Sequence, residues 1–327
     1  MKFAKYIITF ISFLSLVACT QKNSISIVSY NAQTFFDAIN DGREFKEFKK
    51  KEKFGESEYN ERLKRLIQAV KMCEFQLTEK GKMPDILVLQ EIESATVVKD
   101  LCKKLDINDE YKDFVFLEPE RGGAFNTAIL SKHEIVFAKS HNVHSNEKVL
   151  RPIIEVDIEI KTNRQNVNIT LFAVHWKSKR DGGAQLRKCQ EELLYRRMKE
   201  REKTSDYVIA CGDFNQDIAD FYMMSSFRNA WNLQEELENS SFEISCDTQK
   251  DTYDDNILGS YCYKGRWERL DNIFYSETLD SIKMQACKFA VAKDSPLILE
   301  GTINRYNLAT KQGYSDHLPI GLLLNVL

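Results

Sequence analysis

Apolar and polar positions along the chain follow two patterns, which predict strands and helices. Strands are predicted at mainly apolar segments over residues 86–89, 127–130, 153–160, 167–174, 207–211, 270–275 and 320–324. Residues 25–29 instead alternate apolar and polar positions, which is typical of an edge or half-buried strand. Most of these runs end at polar side chains, so candidate chemistry is concentrated at the strand ends.

Helical spacing is found in two segments. From Ser57 to Leu77, apolar residues recur every three or four positions, and Gly81 followed by Pro84 predicts the end of this helix. A second amphipathic helix is predicted after residues 182–183. Because strands and helices alternate along the chain, we expect an α/β fold.

The remaining segments indicate how the chain is organised. Residues 40–56 are highly charged and predict a surface loop or a frayed helix, and residues 232–262 predict a polar surface excursion. Nothing in the sequence resembles a Pro- or Gly-rich linker between two domains. We therefore predict a single domain over residues 25–327.

The first 18 residues are typical of an export signal. Two lysines precede an apolar stretch over residues 6–17, and the stretch ends at Ala18-Cys19. A cysteine at this point is typical of bacterial lipoprotein signals, in which it is lipidated and becomes the mature N-terminus. An uncleaved anchor helix and an ordinary signal peptide are the alternatives, although the run is short for a membrane span. We expect a signal peptide over residues 1–18, then a lipidated Cys19 and a short tether over residues 19–24, which would anchor the protein on the periplasmic or cell-surface face of a bacterial membrane.

Composition indicates a globular protein without a cysteine-based metal cage. Hydrophobic residues make up 43% of the chain, and the formal net charge is -3. This charge argues against broad, charge-driven binding to nucleic acid but permits a local basic cleft. The eight cysteines include no CxxC pair. Cys246 and Cys262 flank a polar loop and are candidates for a disulfide in an oxidising compartment.

Polar residues at the strand ends form the candidate site. Asp213 and Asn215 lie two positions apart after an apolar run, so on an extended backbone they point to the same side, next to Gly212, which permits close approach. Comparable polar residues lie at or near one end of other runs: Asn31, Glu91, His175, Asp271, Asp316 and His317. Each of these alone would be read as a surface acid, a turn residue or a core histidine; the joint pattern favours a shared crevice.

The types of residue in this set indicate a metal and a phosphate. Several acids in one crevice are unfavourable unless a cation lies among them. Carboxylate and amide oxygens suit Mg²⁺ or Mn²⁺, and the chain lacks the HxxxH and Cys/His patterns of zinc sites. A hard cation with two histidines and amide donors suits phosphoryl chemistry.

The ordered motif set resembles the endonuclease/exonuclease/phosphatase superfamily, which includes pancreatic-type deoxyribonucleases, exonuclease III-like repair enzymes, neutral sphingomyelinases and inositol polyphosphate 5-phosphatases. The segments that carry the resemblance are Asn31, Leu89-Gln90-Glu91, His175, Gly212-Asp213-Phe214-Asn215, Arg269-Leu270-Asp271 and Ser315-Asp316-His317-Leu318-Pro319. It implies a four-layer α/β sandwich, with two mostly antiparallel sheets face to face and helices outside. It also implies a divalent-metal phosphoesterase.

The resemblance implies a role for each matched residue at the metal and the attacking water. Glu91 would be the main metal ligand, with Asn31 and Asp316 beside it. Asp213 would orient or activate the attacking water, and Asn215 would contact the phosphate.

A second group of residues would act on the phosphate. His317, held by Asp271, would form an acid–base dyad. His175 would bind the phosphate and stabilise its developing charge. Arg151, which lies just before a predicted strand, matches a position where the family often places a phosphate-contacting arginine, and a surface arginine is the alternative. Asn126 is a weaker match of the same kind.

Residues close to the candidate site indicate which class of substrate it would take. The basic stretch over residues 177–180 follows His175, and residues 261–267 combine aromatic and basic side chains before Asp271. These features favour a secreted, lipid-anchored endonuclease that hydrolyses DNA or RNA. Residues 261–267 could instead form a packed hairpin. The alternatives are a phospholipid or sugar-phosphate esterase on the same fold and a non-enzymatic surface binding protein. No protein partner is predicted.

Overall fold

The computed structural model describes residues 24–49, 54–106, 109–119, 123–145, 148–162, 165–180, 183–217, 220–221, 232–233, 259–277 and 283–327. The predicted signal peptide, Cys19 and Cys246 lie outside these residues. The predicted disulfide between Cys246 and Cys262 therefore lies outside them as well. In the described part of the chain, helices long and apolar enough to cross a membrane are absent.

The first sheet contains six strands in the order β15-β18-β1-β2-β4-β3. Its strands are β1 (Ser24–Phe35), β2 (Ile86–Ile92), β3 (Asp113–Phe116), β4 (Asn126–Ser131), β15 (Met284–Val291) and β18 (Ile320–Val326). Only the β1–β2 pair is parallel among the pairs of this sheet. The expectation of an edge or half-buried strand at residues 25–29 is wrong, because β1 lies between β18 and β2 and is almost wholly buried.

The second sheet also contains six strands, in the order β11-β14-β10-β9-β8-β5. Its strands are β5 (Glu134–His141), β8 (Ile153–Lys161), β9 (Asn166–His175), β10 (Tyr207–Asp213), β11 (Asn232–Leu233) and β14 (Asp271–Glu277). The β9–β10 pair is parallel, and the other pairs are antiparallel. Three two-stranded ribbons complete the described strands: β6 (His144–Ser145) with β7 (Lys148–Val149), β12 (Tyr261–Tyr263) with β13 (Arg266–Glu268), and β16 (Ile298–Leu299) with β17 (Thr302–Ile303).

The two sheets pack face to face because their strands alternate between two apolar surfaces. In β9, Leu171 and Ala173 belong to the core shared with the first sheet, whereas Phe172 and Val174 belong to a second core on the opposite face. This two-residue alternation is the expected consequence of strand geometry.

Helices cover the outer faces of both sheets. Helix α1 (Glu56–Thr78) packs on the first sheet, α2 (Ala95–Lys103) joins the same core, and α3 (Gly183–Arg201) covers the second sheet. Gly321 in β18 permits the close approach of α1, since a β-carbon there would come within 2.6 Å of the Leu77 side chain. The predicted four-layer α/β sandwich with two mostly antiparallel sheets is confirmed.

Candidate active site

Three polar residues lie in register across adjacent strands at one end of the second sheet. His175, the last residue of β9, pairs with Asp213, the last residue of β10, and Asp213 pairs with Asp271, the first residue of β14. Gly212 has a φ of 142°, and a β-carbon at this position would overlap the carbonyl oxygen of Val174. Glycine is therefore required for the two parallel strands to end together at the site.

The first sheet brings Asn31 and Glu91 to the same place. Asn31 lies in β1, next to Gln90 of β2 in the parallel pair. Its Nδ2 donates a hydrogen bond of 3.1 Å to Oδ2 of Asp213, which joins the two sheets at the site. Its Oδ1 accepts a hydrogen bond of 3.0 Å from the backbone N–H of Gln33. The fold thus brings together residues far apart in the sequence.

Glu91 has an unusual backbone conformation, with a φ of 61°. Left-handed backbone at a residue other than glycine is often found at functional sites. One carboxylate oxygen accepts a hydrogen bond of 2.6 Å from the N–H of Thr34, and the other lies 3.7 Å from Nε2 of His175. Burial raises the pKa of Glu91, and the charge of Asp316 raises it further. The side chain nevertheless keeps 19% of its surface exposed, so solvent or a ligand can reach it.

His317 and Asp271 form a hydrogen-bonded pair. Nδ1 of His317 lies 2.7 Å from Oδ2 of Asp271, and Nε2 lies 3.9 Å from Oδ2 of Asp213. Burial lowers the pKa of His317, but the charges of Asp271 and Asp213 outweigh it and raise the pKa well above its usual value. This geometry suits an Nδ1–H that donates to the Asp271 carboxylate and leaves Nε2 directed toward Asp213.

Ser315 positions the loop that carries His317. Its hydroxyl donates a hydrogen bond of 2.6 Å to the carbonyl oxygen of Asn31 and accepts one of 3.1 Å from the N–H of His317. The same hydroxyl thus connects a residue predicted to bind metal with the predicted acid–base dyad. Sequence reasoning included Ser315 in a motif but did not assign it this function.

Asp213 is the most connected carboxylate of the site. Oδ1 accepts a hydrogen bond of 2.8 Å from the N–H of Asn215, and Oδ2 accepts one of 3.0 Å from Nδ2 of the same residue. Nε2 of His175 lies 3.5 Å from Oδ2. Burial raises the pKa of Asp213 to about 7, against the charge of His317, which lowers it. A carboxylate with a pKa near neutrality is suited to exchange protons with water.

The donor set fits a hard divalent cation. Glu91, Asn31 and Asp316 are the predicted ligands, and the Asp316 carboxylate makes no hydrogen bond with any described residue. Asp213, Asp271 and His317 also offer atoms that all lie within 4.8 Å of one another. Because Asp271 and His317 are hydrogen-bonded to each other, we retain them as the proton-transfer pair. The assignment of Glu91, Asn31 and Asp316 as metal ligands stays a prediction. A divalent cation here would neutralise phosphate charge and lower the pKa of a nearby water.

Arg62, which the sequence did not single out, holds the irregular end of β1 after Asn31. This buried arginine of α1 donates hydrogen bonds of 3.1, 2.7 and 3.0 Å to the carbonyl oxygens of Ala32, Gln33 and Thr34. Gln33 and Thr34 have φ values of 51° and 47°, so Arg62 stabilises left-handed backbone at the point in β1 where the register with β2 shifts. The only sequence signal was a basic residue on the apolar face of a helix, beside Leu63.

Arg151 and Asn126 lie at the border of the site. Nη1 of Arg151 donates a hydrogen bond of 2.8 Å to the carbonyl oxygen of Trp176, and the charge of Arg151 lowers the pKa of Glu91. Nδ2 of Asn126 donates to the carbonyl oxygens of Glu93 and Gly123, at 2.8 and 3.0 Å. Both amide hydrogens of Asn126 are thus directed at the main chain. Its phosphate contact stays a prediction.

A hairpin forms one wall of the site. Residues 261–268 form the β12–β13 ribbon, and the ring of Tyr261 packs against His317 with centroids 4.9 Å apart. Nζ of Lys179 lies 2.7 Å from a carboxylate oxygen of Glu268, so the basic stretch after His175 is joined to this hairpin. Residues 261–267 therefore form the packed hairpin, which was the alternative to a nucleotide-stacking segment. The Tyr261 ring packs against His317.

The sequence and the fold can both be compared with known proteins. Residues 26–325 match the model of the Endonuclease/Exonuclease/phosphatase family. None of the curated proteins matches the chain. Among solved structures, truncated TDP2 from Caenorhabditis elegans is 18% identical, with a TM-score of 0.56, over 93% of this chain and 98% of that one.

Two further solved structures share the fold. TDP2 from D. rerio, in complex with a single-strand DNA product, is 16% identical over 93% of this chain and 99% of that one, with a TM-score of 0.54. A mannosyl-6-phosphatase from Bacteroides thetaiotaomicron is 17% identical over 92% of this chain and 99% of that one, with a TM-score of 0.52. At these identities the structures show a shared fold. With the family match over most of its length, the chain belongs to the endonuclease/exonuclease/phosphatase family.

Proposed function

We propose that this protein is an exported, lipid-anchored, metal-dependent phosphodiesterase that hydrolyses DNA or RNA. The observation that carries the proposal is the convergence of the Asp271–His317 pair, Asp213, His175 and Glu91 at one end of the two sheets. Family membership supports phosphoester hydrolysis with a divalent metal. The nucleic-acid substrate and the lipid anchor are supported by separate features.

The site provides the groups that water attack on a phosphate requires. Asp213 would accept a proton from the attacking water, and its position between two amide donors and His175 fixes its orientation. The protonated His317 would donate a hydrogen bond or a proton toward the phosphate, with its ring held by Asp271. His175, which lies between Glu91 and Asp213, would stabilise the charge that develops on the phosphate oxygens.

The surface beside the site supports a polymeric substrate. A cleft of 870 Å³ is lined by Thr34, whose N–H donates to Glu91, and continues along Arg305 and Tyr306. A cleft of this size exceeds what a single phosphate group requires. It leaves room for the nucleotides or the sugar on one side of a scissile bond.

The hairpin tip favours nucleic acid over a membrane lipid. Tyr263 is 54% exposed, and Lys264 and Arg266 at the same tip are exposed. An exposed aromatic ring flanked by cations is suited to stacking on a base and contacting phosphates. A hairpin that inserts into a membrane would instead present an apolar tip. The presence of a DNA product in the D. rerio TDP2 structure agrees with this preference at the level of the fold.

A substrate panel tests the proposed reaction. Purified protein with Mg²⁺ or Mn²⁺ should cleave plasmid DNA or RNA, and chelation should stop the cleavage. Sphingomyelin, inositol phosphates and mannose 6-phosphate complete the panel. Release of phosphocholine or inorganic phosphate without cleavage of nucleic acid would contradict the proposed substrate. The protein would still be a phosphoester hydrolase. No turnover of any ester would favour a surface binding protein.

A charge-reversal variant tests the nucleic-acid surface. Lys264→Glu combined with Arg266→Glu should raise the KM for single-stranded DNA about tenfold, because two phosphate-facing cations are replaced by acids. Hydrolysis of bis(p-nitrophenyl) phosphate, which is too small to reach the tip, should be unchanged. Lys80→Glu, at the exposed end of α1, is the matched control. An unchanged KM for DNA in the double variant would remove the hairpin from the substrate-binding surface.

The lipid anchor is a separate proposal that rests on the sequence around Cys19. A covalent acyl anchor would hold the domain at a membrane through the tether over residues 19–24. Cys19→Ser should release the protein from the membrane fraction and abolish labelling with a palmitate analogue. Unchanged fractionation of the variant would reject lipidation at this residue.

A further inference from the structure

Four acidic residues form a second cluster outside the active site, which we call the loop carboxylate cluster: Asp37, Asp41, Glu44 and Glu93. One carboxylate oxygen from each of Asp41, Glu44 and Glu93 lies within 4.8 Å of the other two. Asp37 is adjacent, since its N–H donates a hydrogen bond of 2.7 Å to Oε2 of Glu93. Asp37, Glu44 and Glu93 are buried, so three carboxyl groups are crowded together away from solvent.

The second oxygen of Glu93 indicates that the cluster lacks a ligand. Glu93 is 1% exposed, and its buried Oε1 has no hydrogen-bond partner among the described residues. A buried carboxylate oxygen normally has a donor or a cation beside it. The carboxylates of Asp41 and Glu44 cannot supply the missing donor, because ionised carboxylates only accept hydrogen bonds.

The other carboxylates of the cluster are fixed by main-chain donors and, at Asp37, also by the Ser94 hydroxyl, which donates a hydrogen bond of 3.0 Å to Oδ2. The N–H groups of Asp41 and Gly42 donate to the two oxygens of Glu44, at 2.7 and 3.0 Å. The N–H of Ile39 donates to Asp37 at 2.7 Å. Each of these bonds uses one lone pair and leaves the others of that oxygen available. The loop is therefore folded around its carboxylates, with their orientations set in advance.

Protein cations compensate only the outer part of the cluster. Arg43 forms an ion pair of 3.3 Å with Asp41, whose side chain is 43% exposed, and also contacts Glu118 at 3.4 Å. Within the described ranges, ion pairs to Asp37, Glu44 and Glu93 are absent. Buried carboxylates without a cation carry a large desolvation cost in addition to their mutual repulsion.

We propose that the loop carboxylate cluster binds a divalent cation of the Ca²⁺ type. Its donors are all oxygens, which is the preference of hard cations. Four carboxylates, three from the segment over residues 37–44 and one from Glu93 after β2, suit the high and flexible coordination number of Ca²⁺ better than the strict octahedron of Mg²⁺. The cation would occupy the space between Glu93, Glu44 and Asp41, with Asp37 at its border. This site is independent of the predicted catalytic metal and is formed by different carboxylates.

The position of the cluster connects it to the active site. Thr34 donates its N–H to Glu91, and Asp37, three residues later, donates its N–H to Glu93. The N–H of Glu93 in turn donates to the carbonyl oxygen of Phe35 at 3.1 Å. A cation at the cluster would therefore stabilise the segment over residues 34–44, which holds Glu91 in place. Its role would be structural, and its loss would loosen the active-site loop.

Calcium binding by purified variants tests the proposal. In the Glu91→Gln background, which weakens the active-site metal, calorimetric titration with Ca²⁺ should detect one ion per chain. Adding Asp41→Asn or Glu44→Gln should weaken the binding about tenfold or more, since affinity follows the number of charged ligands. Glu47→Gln, an exposed acid outside the cluster, is the matched control and should leave the affinity unchanged. Because Asp41 is partly exposed, its substitution does not threaten folding, which circular dichroism would verify.

Two results would overturn the proposal. The first is the loss of all Ca²⁺ binding in Glu91→Gln alone, which would assign the ion to the active site. The second is an unchanged Ca²⁺ affinity in folded Asp41→Asn and Glu44→Gln. Thermal unfolding in the Glu91→Gln background provides an independent readout: Ca²⁺ should raise the Tm equally with and without Glu47→Gln, and by clearly less when Glu44→Gln is added.

Discussion

Nδ1 of His317 lies 2.7 Å from Oδ2 of Asp271, and the two residues come from different sheets. Asp271 begins β14 in the second sheet, whereas His317 lies in the loop that leads into β18 of the first sheet. The pair therefore exists only when the two sheets are packed together. The Asp271–His317 hydrogen bond therefore depends both on the local geometry of the site and on the packing of the two sheets.

Replacement of the histidine should abolish most of the activity. His317→Ala should lower kcat about 10²- to 10⁴-fold, because the variant loses the group that donates toward the phosphate. Asp271→Asn should lower kcat as well, and its activity should depend differently on pH, because the pKa of His317 is no longer raised by the Asp271 carboxylate. The control is His144→Ala, at an exposed histidine of β6. Full activity in a folded His317→Ala protein would mean that the site is wrongly assigned.

Glu91→Gln should change the requirement for metal. The substitution removes one charge from the predicted ligand set but keeps the size of the side chain, so we expect the Mg²⁺ or Mn²⁺ concentration for half-maximal activity to rise about 10- to 100-fold. Activity measured across a metal titration in chelator-treated buffer gives this value. Glu110→Gln, at an exposed acid, is the control and should not change it. An unchanged metal dependence in Glu91→Gln would exclude Glu91 as a ligand.

Gly212→Ala should destabilise the fold more than a similar change at another glycine. Both Gly212 and Gly265 have positive φ values, 142° and 78°, but only at Gly212 would a β-carbon meet other atoms, at the Val174 carbonyl. We expect Gly212→Ala to lower the free energy of unfolding by about 2–4 kcal/mol and Gly265→Ala by about 1 kcal/mol. Urea denaturation measures both. Equal effects would show that the β9–β10 pair tolerates a side chain at this position.

Glu74 should make stability depend on pH. This buried acid of α1 has its pKa raised from 4.5 to about 7 by burial. The folded state therefore retains a proton that the unfolded state has lost, so wild-type stability should fall as pH rises from about 4.5 through about 7. Above pH 8, Glu74→Gln should be more stable than the wild type by up to about 3 kcal/mol, and at pH 4.5 the difference should be small.

The Glu74 prediction is checked by urea denaturation at both pH values. Glu79→Gln, at the exposed end of α1, is the control and should parallel the wild type. A stability difference between Glu74→Gln and the wild type that does not grow with pH would show that Glu74 keeps an ordinary pKa in the folded state.

The periodicity of the sequence predicted the secondary structure well where apolar runs are long. The α1 helix and strands β2, β4, β8, β9, β10 and β18 were all predicted at the right places, because each buries a continuous or regularly spaced apolar set. The burial of β1 was not predicted, because the alternation of apolar and polar residues over 25–29 indicates a strand with one polar face. In the fold, Ser26 and Ser29 of that strand are buried through hydrogen bonds, with Asp85 and with Gln90.

The supporting residues could not be read from the sequence. Arg62 and Ser315 act on main-chain groups that are distant in the chain, and a hydrogen bond to a carbonyl oxygen leaves no trace in the residue type of the acceptor. The loop carboxylate cluster was missed for a similar reason. Its Glu93 directly follows β2, whereas Asp41 and Glu44 belong to a segment with the pattern of a charged surface loop.

By itself, the sequence determined which kinds of side chain end the strands and in what order, because apolar runs must be buried and polar groups at their ends are then exposed to a crevice. That order was enough to indicate the family and the four-layer sandwich. Only the tertiary structure decided which of these groups touch. Asn31 and Asp213 are 182 residues apart and meet through a hydrogen bond across the two sheets. Contacts of that kind depend on how two sheets pack and register, which no local pattern of residues encodes.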